Sequence, residues 1–98
     1  MMCANIYVFG KVQGVYYRKS TKTQADDFGL VGWVRNRKDG SVEIMAYGTQ
    51  TKLEKLYTWT AKGPPMARVE QVDIVWRNLG DDSPEAMKHT EFVIEATQ

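Results

Sequence analysis

Hydrophobic residues in this chain switch repeatedly between strand spacing and helix spacing, and that order constrains the fold more than any other feature. From Ala4 to Phe9 the spacing is two, with Ile6 and Val8 on one face and Tyr7 and Phe9 on the other. Tyr17, Thr21, Ala25 and Phe28 then recur at helical spacing, while Lys19, Lys22, Gln24 and Asp26 fall off that stripe. Gly29 provides the left-handed stop expected after such a helix. Strand spacing returns from Leu30 to Arg37 and from Ser41 to Tyr47, where Val42, Ile44 and Ala46 alternate with Glu43, Met45 and Tyr47. Between them, Arg37-Lys38-Asp39-Gly40 carries the Asp-Gly pair of a tight hairpin.

After Gly48 the stripe Leu53, Leu56, Tyr57 and Thr60 predicts a second helix, and Thr51-Lys52-Leu53-Glu54 has the spacing of a capping box. Lys62-Gly63-Pro64-Pro65 ends it, since neither proline can continue a helix. Arg68 to Trp76 reads as a fourth strand. A polar loop, Asn78 to Lys88, leads to a short fifth strand from Glu91 to Ala96. The order β-α-β-β-α-β plus a short C-terminal strand predicts an α+β fold, a ferredoxin-like split β-α-β sandwich with two helices on one face of an antiparallel sheet. At 98 residues the chain makes one domain, 1–98, burying roughly two-thirds of the surface its unfolded form exposes. In that architecture the first and second strands run parallel with the third between them. The turn from Gly10 to Arg18 and Asn36 therefore meet at one sheet edge.

Charge narrows the function. Thirteen Lys and Arg against twelve Asp and Glu leave +1, so no overall field draws the chain to nucleic acid or to a membrane surface. Cys3 is the only cysteine, which rules out an intrachain disulfide and a thiolate metal cluster and fits a reducing, cytoplasmic setting. Met1 to Asn5 precedes no long apolar run, so neither a signal peptide nor a membrane span is expected. His89 is the only histidine, which excludes a histidine-based triad and a two-histidine metal site; no metal and no cofactor is called for. Cys3 reads as a small apolar residue at a strand edge and His89 as a solvated loop residue. Asp26, Asp27, Glu54, Glu70 and the Asp81-Asp82 pair fall on solvent faces or loops and receive no catalytic role.

Two features carry chemistry. Val8-Phe9-Gly10-Lys11-Val12-Gln13-Gly14-Val15-Tyr16-Tyr17-Arg18 runs from strand through a glycine turn into a helix, where unpaired N–H groups, the positive helix end and an arginine fork suit an anion. It lacks the Gly-Lys-Ser/Thr ending of a nucleotide loop. A tight strand-to-helix turn with a solvated Arg18 accounts for it equally well. Asn36 is disfavoured inside a strand. It either starts the hairpin turn or, beside an anion, accepts a hydrogen bond from a water and donates to a phosphoryl oxygen.

These two stretches resemble the acylphosphatase family: Val8 through Arg18 is similar to its first signature and Gly32-Trp33-Val34-Arg35-Asn36-Arg37-Lys38-Asp39-Gly40-Ser41-Val42, with Gly48 beyond, to its second. Gly63-Pro64-Pro65-Met66-Ala67-Arg68-Val69 and Phe92-Val93-Ile94 extend the likeness over nearly the whole chain. The resemblance implies a monomeric hydrolase of small acyl phosphates. It implies that Arg18 binds the phosphoryl group, that loop N–H groups from Gln13, Gly14, Val15, Tyr16 and Tyr17 to Arg18 complete the cradle, and that Asn36 positions the attacking water. One departure is Tyr17, where the family usually carries Phe or Met; a buried hydroxyl there needs a partner. The residues fit the reaction chemically, since a carboxylate leaving group, with a conjugate acid of pKa roughly 4, needs no general acid.

Two other readings use the same scaffold. A regulatory module binding phosphate or carboxylate would keep Arg18 but have no use for Asn36. A domain binding single-stranded RNA would use Tyr7, Phe9, Met45 and Tyr47 on an open sheet face. The near-neutral charge and the missing Lys/Arg-Gly-aromatic run on the third strand speak against it.

Overall fold

The computed structural model describes residues 1–80 and 89–98. Its elements are β1 (Met2–Lys11), α1 (Tyr17–Asp27), β2 (Val31–Asn36), β3 (Val42–Gly48), α2 (Gln50–Thr60), β4 (Arg68–Asn78) and β5 (Phe92–Ile94). They form one sheet in the order β4-β1-β3-β2-β5, with the ferredoxin-like arrangement expected from the sequence. The β1–β3, β1–β4 and β2–β3 pairs are antiparallel, whereas β5 lies parallel to β2, so the added strand makes the sheet mixed. Asp81, Asp82 and most of the polar loop to Lys88 lie outside the described residues.

The apolar stripes meet as their spacing dictates. Ala4, Ile6 and Val8 of β1, Val34 of β2 and Val42, Ile44 and Ala46 of β3 are buried, and Tyr17, Thr21 and Ala25 of α1 and Leu53 and Leu56 of α2 join them in one core. Helix α1 lies over β2 and β5 and helix α2 over β1 and β3. Each large apolar side chain buried there contributes about 1.5–3 kcal/mol.

Helix α1 ends as predicted. Leu30 N–H donates to the Ala25 carbonyl at 2.9 Å and Gly29 N–H to the Asp26 carbonyl at 3.1 Å, the paired bonds of a Schellman stop. Helix α2 starts earlier than the Thr51 capping box implies. Thr49, still extended at φ −74 and ψ 155, is the cap, and its hydroxyl accepts from Lys52 N–H at 3.4 Å. Glu54 instead accepts from Gln50 Nε2 at 3.0 Å.

The opposite sheet face holds a polar network. Glu43, buried on β3, accepts from Arg35 Nε and Nη2 at 3.0 and 2.8 Å and from Asn5 Nδ2 at 3.2 Å, while Tyr7 Oη donates to Asn5 Oδ1 at 2.9 Å. Burial alone would raise the Glu43 carboxyl, but the Arg35 and Asn5 hydrogen bonds outweigh it and hold its pKa below the ordinary value. His89 is half-buried rather than solvated, its ring stacked on Tyr47 at 5.0 Å between centroids. Tyr47 is itself buried, which removes it from any open aromatic face.

Candidate active site

The turn between β1 and α1 is shaped by backbone that few residues adopt. At Gly10 (φ 129) the β1–β4 register shifts, and a Cβ would fall 2.1 Å from the Arg68 carbonyl oxygen, so only glycine fits against β4. Gly14 (φ 73) and Tyr16 (φ 65) then take left-handed conformations, and Tyr16 is the only non-glycine with positive φ among the described residues. Tyr16 is also the N-cap of α1, and its side chain makes no capping bond. The first main-chain bond of the helix runs from Ser20 N–H to the Tyr16 carbonyl at 3.0 Å, leaving the N–H groups of Tyr17, Arg18 and Lys19 without intrahelical acceptors. No acidic residue occupies the first turn, so the positive end of the helix is uncompensated.

Strand alternation decides what faces this helix end. Val34 and Asn36 are buried on the helix side of β2, whereas Arg35 points to the opposite face, toward Glu43. A cavity of about 400 Å³ results, lined by Gly14, Tyr16, Tyr17, Arg18 and Lys19 on one side and by Asn36 and Ile94 on the other. Asn36 is 9% exposed, and its Oδ1 is buried and accepts no hydrogen bond from any described group. An acceptor left so costs about 1–3 kcal/mol unless a water or ligand meets it. Arg18 is half-buried at the same cavity.

The remaining loop residues have divided tasks. Gln13 directs its side chain away from the cavity, donating from Nε2 to the carbonyls of Arg37 at 2.8 Å and Ser41 at 2.9 Å. Val15 is 2% exposed and its side chain belongs to the core. Tyr17 is buried, its hydroxyl donating to the Thr60 carbonyl at 2.7 Å near the end of α2. Burial pushes that hydroxyl's pKa well up, so it stays a donor.

Comparison with known proteins places the family and the fold. The acylphosphatase family model matches residues 4–94. The chain belongs to the acylphosphatase family. An acylphosphatase of Acaryochloris marina is 49% identical over 81 residues, covering 83% of this chain and 87% of its own. Among solved structures, the acylphosphatase from Bacillus subtilis superposes with a TM-score of 0.85 at 34% identity, covering 97% of this chain and 99% of that one. The acylphosphatase from Coxiella burnetii does so with a TM-score of 0.81 at 33% identity, covering 95% and 90%.

Within this acylphosphatase fold, three residues line the cavity beyond those expected from the sequence: Val12 at the start of the turn, Lys19 and Ile94. Lys19 was legible only as a polar position off the helix stripe. Ile94 reaches the cavity because β5 pairs with β2, placing Ile94 opposite Val34, two residues before Asn36. Strand spacing fixes a face but not a neighbour, so no local signal marked it. A larger cavity, about 600 Å³, lies between α1 and the segment after α2, against Trp59, Pro64 and Pro65. Its described lining contains neither an arginine nor a buried polar atom lacking a partner, in contrast to the smaller one.

Proposed function

We propose that this acylphosphatase cleaves the carboxyl-phosphate bond of small acyl phosphates by direct attack of a water held by Asn36 on a phosphoryl group held by Arg18. The N–H groups from Gln13 through Arg18 surround the equatorial oxygens, and the guanidinium adds charge-assisted bonds. Phosphoryl transfer of this kind passes through a loose transition state with charge spread over those oxygens, so positioning and electrostatic stabilisation carry the rate. Asn36 Oδ1 accepts one hydrogen of the water and orients its oxygen toward phosphorus. As the new P–O bond forms, the bond to the acyl oxygen breaks and its electron pair leaves with the carboxylate, while the water's proton ends on the released phosphate. No histidine, cysteine or metal enters any step.

The observation that carries the reading is the buried Asn36 Oδ1, without a partner among the described residues, in the same cavity as Arg18 and an uncompensated helix N-terminus. The lone Cys3 supports a cytoplasmic setting, and the balanced charge supports a small-molecule substrate over nucleic acid or a membrane surface. Phosphate release from benzoyl phosphate, beside 4-nitrophenyl phosphate as a monoester control, tests it. Turnover of the first with little of the second is expected, and equal turnover of both would contradict it.

A further inference from the structure

We propose that Tyr16 and Ile94 form an apolar subsite for the acyl group, so that the enzyme prefers acyl phosphates with hydrophobic acyl chains over acetyl phosphate. This rests on the hydrolytic reading of the same cavity.

Large apolar side chains exposed among the described residues are few: Met1, Tyr16, Met66, Val75 and Ile94. Two of them, Tyr16 at 71% and Ile94 at 43% exposure, come from distant parts of the chain to line one cavity with Arg18. A phosphoryl group held at the helix end fills only part of about 400 Å³, a volume in the range of small-molecule sites. The position of Tyr16 carries a conformational cost. Its φ of 65 is a region that bulky residues avoid and that glycine or asparagine would occupy without strain. The phenol ring lies exposed at the cavity, clear of the core, instead of packed within it. Ile94 stands on the strand beside Asn36, as a second apolar wall. An acyl chain leaving the cradle removes both surfaces from water, and each methylene fully buried contributes about fourfold to affinity.

The test is kcat/KM for straight-chain acyl phosphates from acetyl to hexanoyl, whose leaving carboxylates differ little in basicity, so that differences report contacts with the chain. We expect a rise of about 10-fold or more across the series. Tyr16→Asn, which suits the left-handed backbone, and Ile94→Thr, which keeps the β-branch, should each lower the hexanoyl-to-acetyl ratio about threefold. A flat series in the unaltered protein would overturn the subsite while leaving hydrolysis intact. A rising series that neither variant flattens would overturn its assignment to these residues. A rate raised by a terminal carboxylate on the acyl chain rather than by its length would overturn the apolar preference and point to Lys19. No release from any acyl phosphate would remove the hydrolytic reading and the subsite with it.

Discussion

Gln13 Nε2 donates to the Ser41 carbonyl at 2.9 Å, tying the turn before α1 to the residue that leads into β3. The same nitrogen donates to the Arg37 carbonyl at 2.8 Å, so both sides of the β2–β3 hairpin are held by one side chain. Arg18 on a helix and Asn36 on a strand, which line one cavity, are thus joined through a residue hydrogen-bonded to neither.

Gln13→Ala should therefore lower kcat about 10-fold through misplacement of the water relative to phosphorus, alongside a stability loss of about 1–2 kcal/mol from the two missing bonds. Steady-state kinetics and thermal unfolding on the same preparation check this. A lower Tm with unchanged kcat would reduce Gln13 to a structural tie.

Arg18→Lys should lose about 100-fold in kcat/KM, because a point charge cannot reproduce the bidentate fork of guanidinium on a phosphoryl group. Turnover of an acyl phosphate at the unaltered rate would show that Arg18 does not grip the reacting group.

Tyr17→Phe removes the hydroxyl that satisfies the Thr60 carbonyl within a buried contact. A loss of about 1 kcal/mol is expected, which lowers Tm by about 5 °C in a domain of this size. Circular dichroism melting curves measure it, and an unchanged Tm would mean that water replaces the hydroxyl at no cost.

Glu43 predicts an acid limit. Its carboxyl pKa is lowered in the folded protein, so it contributes stability that is complete above the unfolded carboxylate pKa of about 4.3 and is lost as pH falls through the lower folded value. Melting temperature should fall below about pH 4, and Glu43→Gln should flatten that fall while lowering Tm at neutral pH. An acid slope identical in the variant would place the sensitivity elsewhere.

Much of this architecture is legible in the sequence because its cues are local. Gly29 stops α1 where the apolar stripe ends, and Asp39-Gly40 turns the hairpin, with Asp39 Oδ1 accepting from Ser41 N–H at 2.9 Å. Arg18 and Asn36 stand out as a cation at a helix start and an amide in a strand, and the strand order brings them to one cavity. What stayed hidden depends on pairing between distant segments. The parallel seating of β5 on β2, which delivers Ile94, leaves no mark within residues 92–94. The alternation along β3 sets Glu43 off the apolar face, but its burial depends on Arg35 and Asn5, which reach it from β2 and β1. The Thr49 cap was missed because two threonines stand within reach of the helix start, and only the chain's exit from β3 decides between them.

The central claim is a division of labour in which Arg18 holds phosphate and Asn36 holds water, and Asn36→Ala separates the two. Measured together on one acyl phosphate, kcat for hydrolysis and the inhibition constant for inorganic phosphate give the most direct test. The account predicts a fall in kcat of about 100-fold with phosphate affinity within about threefold of the unaltered protein. Equal losses in both would contradict it, showing that Asn36 binds the phosphoryl group instead of the water that attacks it.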